Sequence, residues 1–187
     1  MNDAHMVYCA SDDWRRLVHG TILPEALRGV ELGDEAIEIG PGPGFTTDIL
    51  RTMTGRLTAV EIDEGLASAL TERMAGGNVD VVIGDASALD FPAHRFSGGA
   101  SFHMLHHVAP AEVQDRVFAE LSRVLVSGAV LVAADGTYSE GTAAFHEGDT
   151  YNPIDPAELG KRLGRAGFED VDVRTYELGW VCTARAR

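Results

Sequence analysis

Positive charge is scarce in this sequence: 15 lysines and arginines stand against 29 aspartates and glutamates, so the formal net charge is −14 at pH 7. Such a chain repels phosphate backbones and anionic membrane surfaces. We therefore predict neither a nucleic-acid partner nor a membrane partner. A small partner molecule that is neutral or positively charged fits this charge better.

Cysteine is also scarce, and Cys9 and Cys182 lie far apart in the sequence. They do not have the spacing of metal ligands and are typical of reduced thiols in a cytoplasmic protein. No apolar run approaches the ~20 residues of a membrane span, and the N-terminus lacks the basic and apolar regions of a signal peptide. These absences predict a cytoplasmic protein.

No repeat, low-complexity stretch or linker divides the 187 residues, so we predict one domain over 1–187. It consists of an N-terminal helical segment, 1–32, and a core, 33–187. In the first segment, Ser11 or Asp12 can cap a helix with one apolar face. That face would carry Trp14, Leu17, Val18 and Ile22.

From Ala36 onward, short β-rich runs alternate with helical patterns, which predicts a parallel sheet covered on both faces. The predicted helices are 45–54, 64–75, 110–126 and 156–166. The predicted strands of this part are 36–40, 57–62, 79–83, 98–102 and 129–134.

The last residues, 169–187, read as two alternating strands joined near Leu178 and Gly179. Because no helix separates them, they must form a hairpin, and the last strand must run antiparallel. The predicted fold is therefore α/β: a Rossmann-like, doubly wound, seven-stranded sheet, mostly parallel with an antiparallel last strand.

The run 36–45 reads as a buried strand that ends in a glycine turn containing Gly40, Gly42 and Gly44. Glycines at these positions let the backbone approach a ligand where any Cβ would clash. Glu38, two places before the first glycine, suits a ligand with positive charge and is awkward for a pyrophosphate. This combination points to S-adenosylmethionine rather than a dinucleotide.

Three acids lie at or near the ends of the first three strands, at the sheet edge where ligands bind in such folds. Glu38 can accept a hydrogen bond from the methionine ammonium, directly or through water. Glu61 lies 21 residues beyond Gly40, about the spacing at which an acid meets the ribose hydroxyls. Around the adenine, we expect the Asp85 carboxylate to accept from the amine and the Ala86 backbone N–H to donate to a ring nitrogen. Ile62 could lie against one face of the ring.

These motifs resemble those of class I S-adenosylmethionine-dependent methyltransferases, in particular the small type seen in quinone biosynthesis and related small-molecule methylation. The resemblance implies that Gly40, Gly42, Glu61 and Asp85 contact the cofactor and that Phe102 lies near its methionine portion. It rests on five segments of this chain: 38–44, 60–63, 84–86, 105–108 and 123–125.

Two departures from that pattern fall on the acceptor side. Phe96 is followed by Ser97, Gly98 and Gly99, where the family often has an acid. The usual Lys-Pro-Gly-Gly before the fifth strand is replaced by residues 126–129, Val-Ser-Gly-Ala. Neither change removes an expected cofactor contact.

Methyl transfer is an in-line displacement, so positioning can suffice, although an alcohol or phenol acceptor would benefit from a general base. His103, His146 and Tyr138 are the catalytic candidates. His146 and Tyr138, together with Tyr151, fall in the segment 136–154, a candidate acceptor wall.

We expect His106 and His107 to pack structurally. The histidine spacing predicts no metal site. Tyr8 and Trp14 are candidates for a lid over the cofactor.

The sequence thus predicts methyl transfer from S-adenosylmethionine to a small-molecule acceptor. A regulatory domain that binds the cofactor without turnover is an alternative. An NAD(P)-dependent oxidoreductase is disfavoured, because Phe45 occupies the position of the third dinucleotide glycine and Glu38 would crowd the pyrophosphate.

Overall fold

The computed structural model describes residues 2–187, and a seven-stranded sheet runs through its centre in the order β3-β2-β1-β4-β5-β7-β6. The first five strands are mutually parallel, and β7 runs antiparallel to both β5 and β6. The predicted fold and the antiparallel last strand are confirmed. The strands are β1 Glu35–Ile39, β2 Arg56–Glu61, β3 Val79–Ile83, β4 Phe96–Phe102, β5 Leu125–Asp135, β6 Phe168–Tyr176 and β7 Gly179–Ala186.

Helices cover both faces of this sheet. A π-helical turn, Val18–Ile22, joins α2 to α3, and a 3-10 turn, Leu105–His107, follows β4. None of the helices in residues 2–187 is long and apolar enough to cross a membrane. The α-helices are α1 Asp3–Cys9, α2 Asp12–Leu17, α3 Leu23–Ala26, α4 Phe45–Leu50, α5 Glu64–Met74, α6 Ala111–Val124, α7 Glu140–Phe145 and α8 Pro156–Ala166.

The helix boundaries follow the local sequence signals in most places. Ser11 caps α2, which is one of the two caps predicted for that helix, and Asp155 caps α8 by accepting from the Ala157 N–H. Gly167 ends α8 in a left-handed conformation. The predicted helix 45–54 ends earlier, at Leu50, because a tight turn returns the chain directly into β2.

Strand β1 separates two halves of the core. Ile37 and Ile39 belong to the apolar cluster beneath α6 and α8, whereas Ala36 belongs to the cluster beneath the N-terminal helices and α4. Since side chains alternate across a strand, Glu38 lies on the same face as Ala36, towards α4. This alternation decides the surroundings of the Glu38 carboxylate.

The strand order reverses between β1 and β4, because β2 and β3 extend the sheet on one side of β1 and β4 and β5 on the other. In sheets of this type a crevice opens at the carboxyl ends of the strands on either side of that reversal. The glycine turn directly follows β1, so the fold places it at this crevice.

Candidate active site

The glycine turn is held in place by Glu61, at the end of β2. Glu61 Oε2 accepts from the Gly42 N–H at 2.9 Å, and Oε1 accepts from the N–H groups of Ile62 and Asp63 at 2.9 and 3.0 Å. The Gly40 N–H donates to the Val60 carbonyl at 2.9 Å. With a side chain that is almost fully buried, Glu61 therefore joins the ends of the first two strands.

A cavity of about 480 Å³ opens beside this turn. Its walls come from the carboxyl ends of β1 to β4, the N-terminal helices and the segment after β4. The structure thereby brings seven of the nine predicted cofactor residues to one cavity. These are Gly40, Gly42, Glu61, Ile62, Asp85, Ala86 and Phe102.

Glu38 is one of the two that lie outside the cavity lining. Its carboxylate accepts from the hydroxyls of Thr46 and Thr47 at the start of α4, the latter at 2.7 Å. Burial, partly offset by these two hydroxyl groups, raises the pKa of Glu38 to about 7. In this structure Glu38 fastens α4 to β1, and its contact with the methionine ammonium stays a prediction.

Gly44 is the other residue outside the lining, and its φ is +82°. A Cβ here would come within 2.3 Å of the Arg73 guanidinium and 2.4 Å of a Leu70 methyl carbon. Arg73 also donates to the carbonyls of Pro43 and Gly44 at 2.9 Å. The structure therefore explains this glycine by close packing against α5.

The remaining predicted cofactor residues differ in exposure. Ile62 is 68% exposed and Phe102 only 6%, so the first offers an open apolar surface and the second a fixed wall. Asp85 is exposed, and its Oδ1 accepts from the Ser87 N–H at 2.8 Å. Its other oxygen, Oδ2, can still accept a hydrogen bond from a ligand.

Among the catalytic candidates, His103 lines the cavity. The Trp14 ring meets its imidazole edge-on, with ring centroids 5.1 Å apart. Its Nε2 is buried and has no hydrogen-bond partner among residues 2–187. Burial lowers the pKa of His103 to about 4, although Asp135 opposes the change, so the imidazole is neutral at pH 7.

Tyr138 and His146 lie outside the cavity lining. Tyr138 is 67% exposed and packs near Tyr151, with ring centroids 6.2 Å apart. Segment 136–154 reaches the cavity through Asp149 and Thr150 instead. Tyr138 stays on the surface because residues 140–145 of this segment form helix α7, which the sequence did not predict. Catalytic roles for Tyr138 and His146 stay predictions.

Four histidines converge beside the cavity, which the sequence did not indicate. One ligand nitrogen from each lies within 4.8 Å of all the others, and we call the group the histidine cluster. Their sequence spacing carried no signal, because packing of α1 and α7 against the turn after β4 brings them together. The cluster consists of His5, His106, His107 and His146.

Asp135, at the end of β5, contacts this cluster, and the sequence reasoning did not identify it as a site residue. Its Oδ1 lies 2.5 Å from His106 Nδ1, and its Oδ2 accepts from the His106 backbone N–H at 3.0 Å. Burial opposes ionisation of Asp135, but His106 nevertheless holds the pKa of Asp135 below its ordinary value. Its position at a strand end, like those of Glu61 and Asp85, is the signal that could have found it.

The charged side chains that line the cavity are negative. Four carboxylates line it and, within the part of the chain that the structure describes, neither lysine nor arginine does. Such a lining offers no cation to clamp a phosphate and attracts positive charge. The four acids are Glu61, Asp63, Asp85 and Asp149.

Comparisons with known proteins agree with this geometry. Residues 37–133, just over half of the chain, match a family described as a methyltransferase domain. A probable ribosomal RNA small subunit methyltransferase A of Methanothermobacter thermautotrophicus is 36% identical over 83 residues, which cover 40% of this chain and 30% of that protein. The chain thus matches less than a third of that curated relative's length.

Solved structures resemble the chain over almost its whole length. A protein from Pyrococcus horikoshii superposes with a TM-score of 0.79 at 16% identity, covering 95% of this chain and 92% of its own. An S-adenosylmethionine-dependent methyltransferase from Mesorhizobium loti gives 0.73 at 15% identity, covering 90% and 99%. At these identities the likeness shows the fold. Taken with the match over residues 37–133, it means that the chain belongs to the methyltransferase domain family and has the class I fold of S-adenosylmethionine-dependent methyltransferases.

Proposed function

We propose that this enzyme transfers the methyl group of S-adenosylmethionine to a small molecule that is neutral or positively charged. The observation that carries the proposal is the lining of the cavity, in which four carboxylates stand without a lysine or arginine among the described residues. Its volume of about 480 Å³ lies within the range of small-molecule sites. The net charge of −14 acts in the same direction.

Relatives named as ribosomal RNA methyltransferases do not argue strongly for an RNA acceptor here. The match with the archaeal relative covers 40% of this chain. An RNA substrate needs cations along its phosphate backbone, and this cavity supplies carboxylates instead. We infer that the shared segment is concerned with the donor and that the acceptor differs.

For the donor, the seven predicted residues at the cavity supply complementary groups. Glu61 would accept from the ribose hydroxyls, and Asp85 from the adenine amine. Ile62 and Phe102 would supply apolar contact to the base and to the methionine portion. The open backbone at Gly42, where a Cβ would find nothing within 4 Å, allows the cofactor to approach.

The reaction needs little covalent chemistry from the protein. The acceptor's lone pair attacks the methyl carbon as the carbon–sulfur bond breaks, and the sulfonium becomes a neutral thioether. If the acceptor atom carries a proton, His103 would take it, since its imidazole lines the cavity and is neutral at pH 7. The N-terminal helical segment would act as a lid, since Met6, Cys9 and Trp14 line the same cavity.

A labelling experiment tests the acceptor class. The enzyme is incubated with S-adenosylmethionine labelled on its methyl group and with a cytoplasmic extract divided into an ultrafiltrate and a macromolecular fraction. We expect label to enter small molecules of the ultrafiltrate. Label in RNA that ribonuclease releases would contradict the proposal.

A binding assay, read together with the labelling experiment, separates an enzyme from a regulatory domain. Thermal stabilisation by S-adenosylhomocysteine, but not by NAD(P), establishes binding, and turnover of the label then establishes catalysis. Binding without transfer to any fraction would favour the regulatory alternative.

A further inference from the structure

The histidine cluster has the composition of a metal site and is hard to explain as packing alone. His5, His106 and His146 are 5%, 7% and 5% exposed, and His107 adjoins them. The ring centroids of His106 and His107 are 4.1 Å apart, and those of His5 and His146 are 4.5 Å apart. Buried imidazoles normally satisfy their nitrogens with separate partners.

Several nitrogens of the cluster have no such partner. His5 Nδ1, His107 Nδ1 and His146 Nε2 are buried without a hydrogen bond to any residue that the structure describes. The Asp149 Oδ2 atom lies 3.6 Å from His5 Nδ1 and 3.9 Å from His107 Nδ1, which is too long for a hydrogen bond. A cation among these atoms would satisfy all of them at once.

Two of the four histidines, His106 and His146, have the outer contacts that metal-ligating histidines show. His106 Nδ1 bonds to the Asp135 carboxylate, and His146 Nδ1 lies 2.6 Å from the Thr142 carbonyl oxygen. Partners of this kind fix the tautomer and leave the opposite nitrogen, Nε2, as an electron-pair donor. For His146 that nitrogen is one of the unpartnered atoms.

We propose that His5, His106, His107 and His146 bind a transition-metal ion, with Zn²⁺ the best match to four imidazole ligands. Zinc–nitrogen bonds of about 2.0–2.1 Å in a tetrahedron place the nitrogens about 3.3 Å apart. The observed limit of 4.8 Å therefore requires a contraction of about 1.5 Å at most, within the reach of side-chain rotation.

Carboxylates beside the cluster agree with this assignment, since Asp135 Oδ1 lies 2.5 Å from His106 Nδ1 and Asp149 Oδ2 lies 3.6 Å from His5 Nδ1. The nearby carboxylates of Asp135 and Asp149 would offset the charge of the ion.

Four protein nitrogens complete a tetrahedron, so the ion would have a structural role and leave no position for a substrate. It would join α1, which supplies His5, to the turn after β4 and to the end of α7. Asn2 already crosses the same junction, donating to the carbonyls of Phe145 and Glu147 at 3.0 and 3.2 Å. Because His107 also lines the cavity, the metal would hold the N-terminal helices against the site.

Metal content and metal affinity of the untagged full chain test this site without any cofactor or acceptor. After equilibration with ZnCl₂ and gel filtration, we expect one zinc ion per chain. Co²⁺ in its place should give the intense visible absorption of a tetrahedral site. Zinc should raise Tm, and a chelator should reverse the increase.

Substitutions locate the site. His5→Gln, near the N-terminus, and His107→Gln should each weaken zinc binding by more than about tenfold. His19→Gln, whose imidazole contacts the Phe45 carbonyl outside the cluster, should bind zinc like the native chain. Less than one ion per chain, or equal affinity in all three variants, would overturn the proposal. Methyl transfer plays no part in these readouts, so their failure leaves the proposed function untouched.

Discussion

Gly42 donates its backbone N–H to Glu61 Oε2 across 2.9 Å, which ties the turn after β1 to the end of β2. The opposite oxygen accepts from two further backbone N–H groups, those of Ile62 and Asp63. Three backbone donors fix the direction of the carboxylate before any ligand arrives. Glu61 therefore shapes the turn as well as the edge of the cavity.

We expect Glu61→Ala to weaken binding of S-adenosylhomocysteine by roughly 1.5–3 kcal/mol, because charge-assisted hydrogen bonds to the ribose and the support of the turn are both lost. Isothermal titration calorimetry measures the effect. Glu64→Ala removes the same charge three residues away, outside the cavity lining, and should bind normally. Affinity of the Glu61 variant within about twofold of the native value would exclude the ribose contact.

Glu38 gives the protein a characteristic dependence of stability on pH. Its pKa rises from the ordinary value of 4.5 to about 7 in the folded state, so folding takes up a proton between these two values. The folded state then binds more protons than the unfolded state, and the Glu38 contribution to stability falls as pH rises through this window. Its contribution is largest below pH 4.5.

Glu38→Gln removes this titration while keeping an acceptor for Thr46 or Thr47. Between pH 4.5 and 8, the stability of the variant relative to the native protein should rise by about 2–3 kcal/mol. Urea unfolding at the two pH values measures the change. Glu64→Gln, at an exposed position, is the matched control. Parallel pH profiles for the native protein and Glu38→Gln would show that Glu38 titrates normally.

The position of Glu38 also shows what could be predicted from the sequence. The strands, the final hairpin and the position of seven predicted residues at one cavity were predictable because each signal is local: a buried strand, then a glycine or an acid at its end. The direction of the Glu38 side chain is a local signal as well, since Ile37 and Ile39 take the opposite face. That alternation directs Glu38 towards α4, and its contact with the methionine ammonium, directly or through water, stays a prediction.

The acceptor side was less predictable for a physical reason. His5 meets His106 and His146 only because α1 and α7 pack against the turn after β4, and no short sequence motif encodes that packing. The same packing sends Asp149 rather than Tyr138 to the cavity. Contacts between segments a hundred residues apart depend on the whole fold.

His103→Gln tests for a general base. If the acceptor atom carries a proton, we expect kcat to fall by about 10²–10⁴ while affinity for S-adenosylhomocysteine stays unchanged. Formation of S-adenosylhomocysteine in the presence of the acceptor fraction measures kcat. His94→Gln, a histidine outside the cavity lining, is the control. A kcat within twofold of the native value would mean that positioning alone supports transfer.

Trp14→Ala tests the N-terminal lid. The indole lines the cavity and packs against His103, so its loss should open the site and weaken binding of S-adenosylhomocysteine by about tenfold. A point change is preferable to deleting residues 1–20, because Val18 in that stretch is 2% exposed and part of the core. Arg15→Ala, an exposed change on the same helix, is the calorimetric control. Equal affinity in both variants would rule out a lid.

The Ser97-Gly98-Gly99 sequence, a departure from the family pattern, has a structural explanation. The chain before β1 crosses directly over the start of β4, where the Ser97 hydroxyl donates to the Leu32 carbonyl at 2.9 Å. A Cβ on Gly98 would lie 2.5 Å from that same carbonyl oxygen and 2.7 Å from the Leu32 Cα. A Cβ on Gly99 would meet side-chain methyl carbons instead, those of Leu125 at 3.4 Å and one of Leu131 at 3.5 Å.

Gly98 and Gly99 therefore allow a matched comparison, because the same change to alanine meets backbone atoms at the first and side-chain atoms at the second. Gly98→Ala must displace a backbone segment, so we expect it to lower the free energy of unfolding by about 3 kcal/mol. Gly99→Ala faces flexible side-chain atoms at ordinary contact distance and should cost about 1 kcal/mol or less. Urea unfolding of the two variants gives the comparison. A similar loss in both would mean that strand propensity, which the two changes share, outweighs the close approach at Leu32.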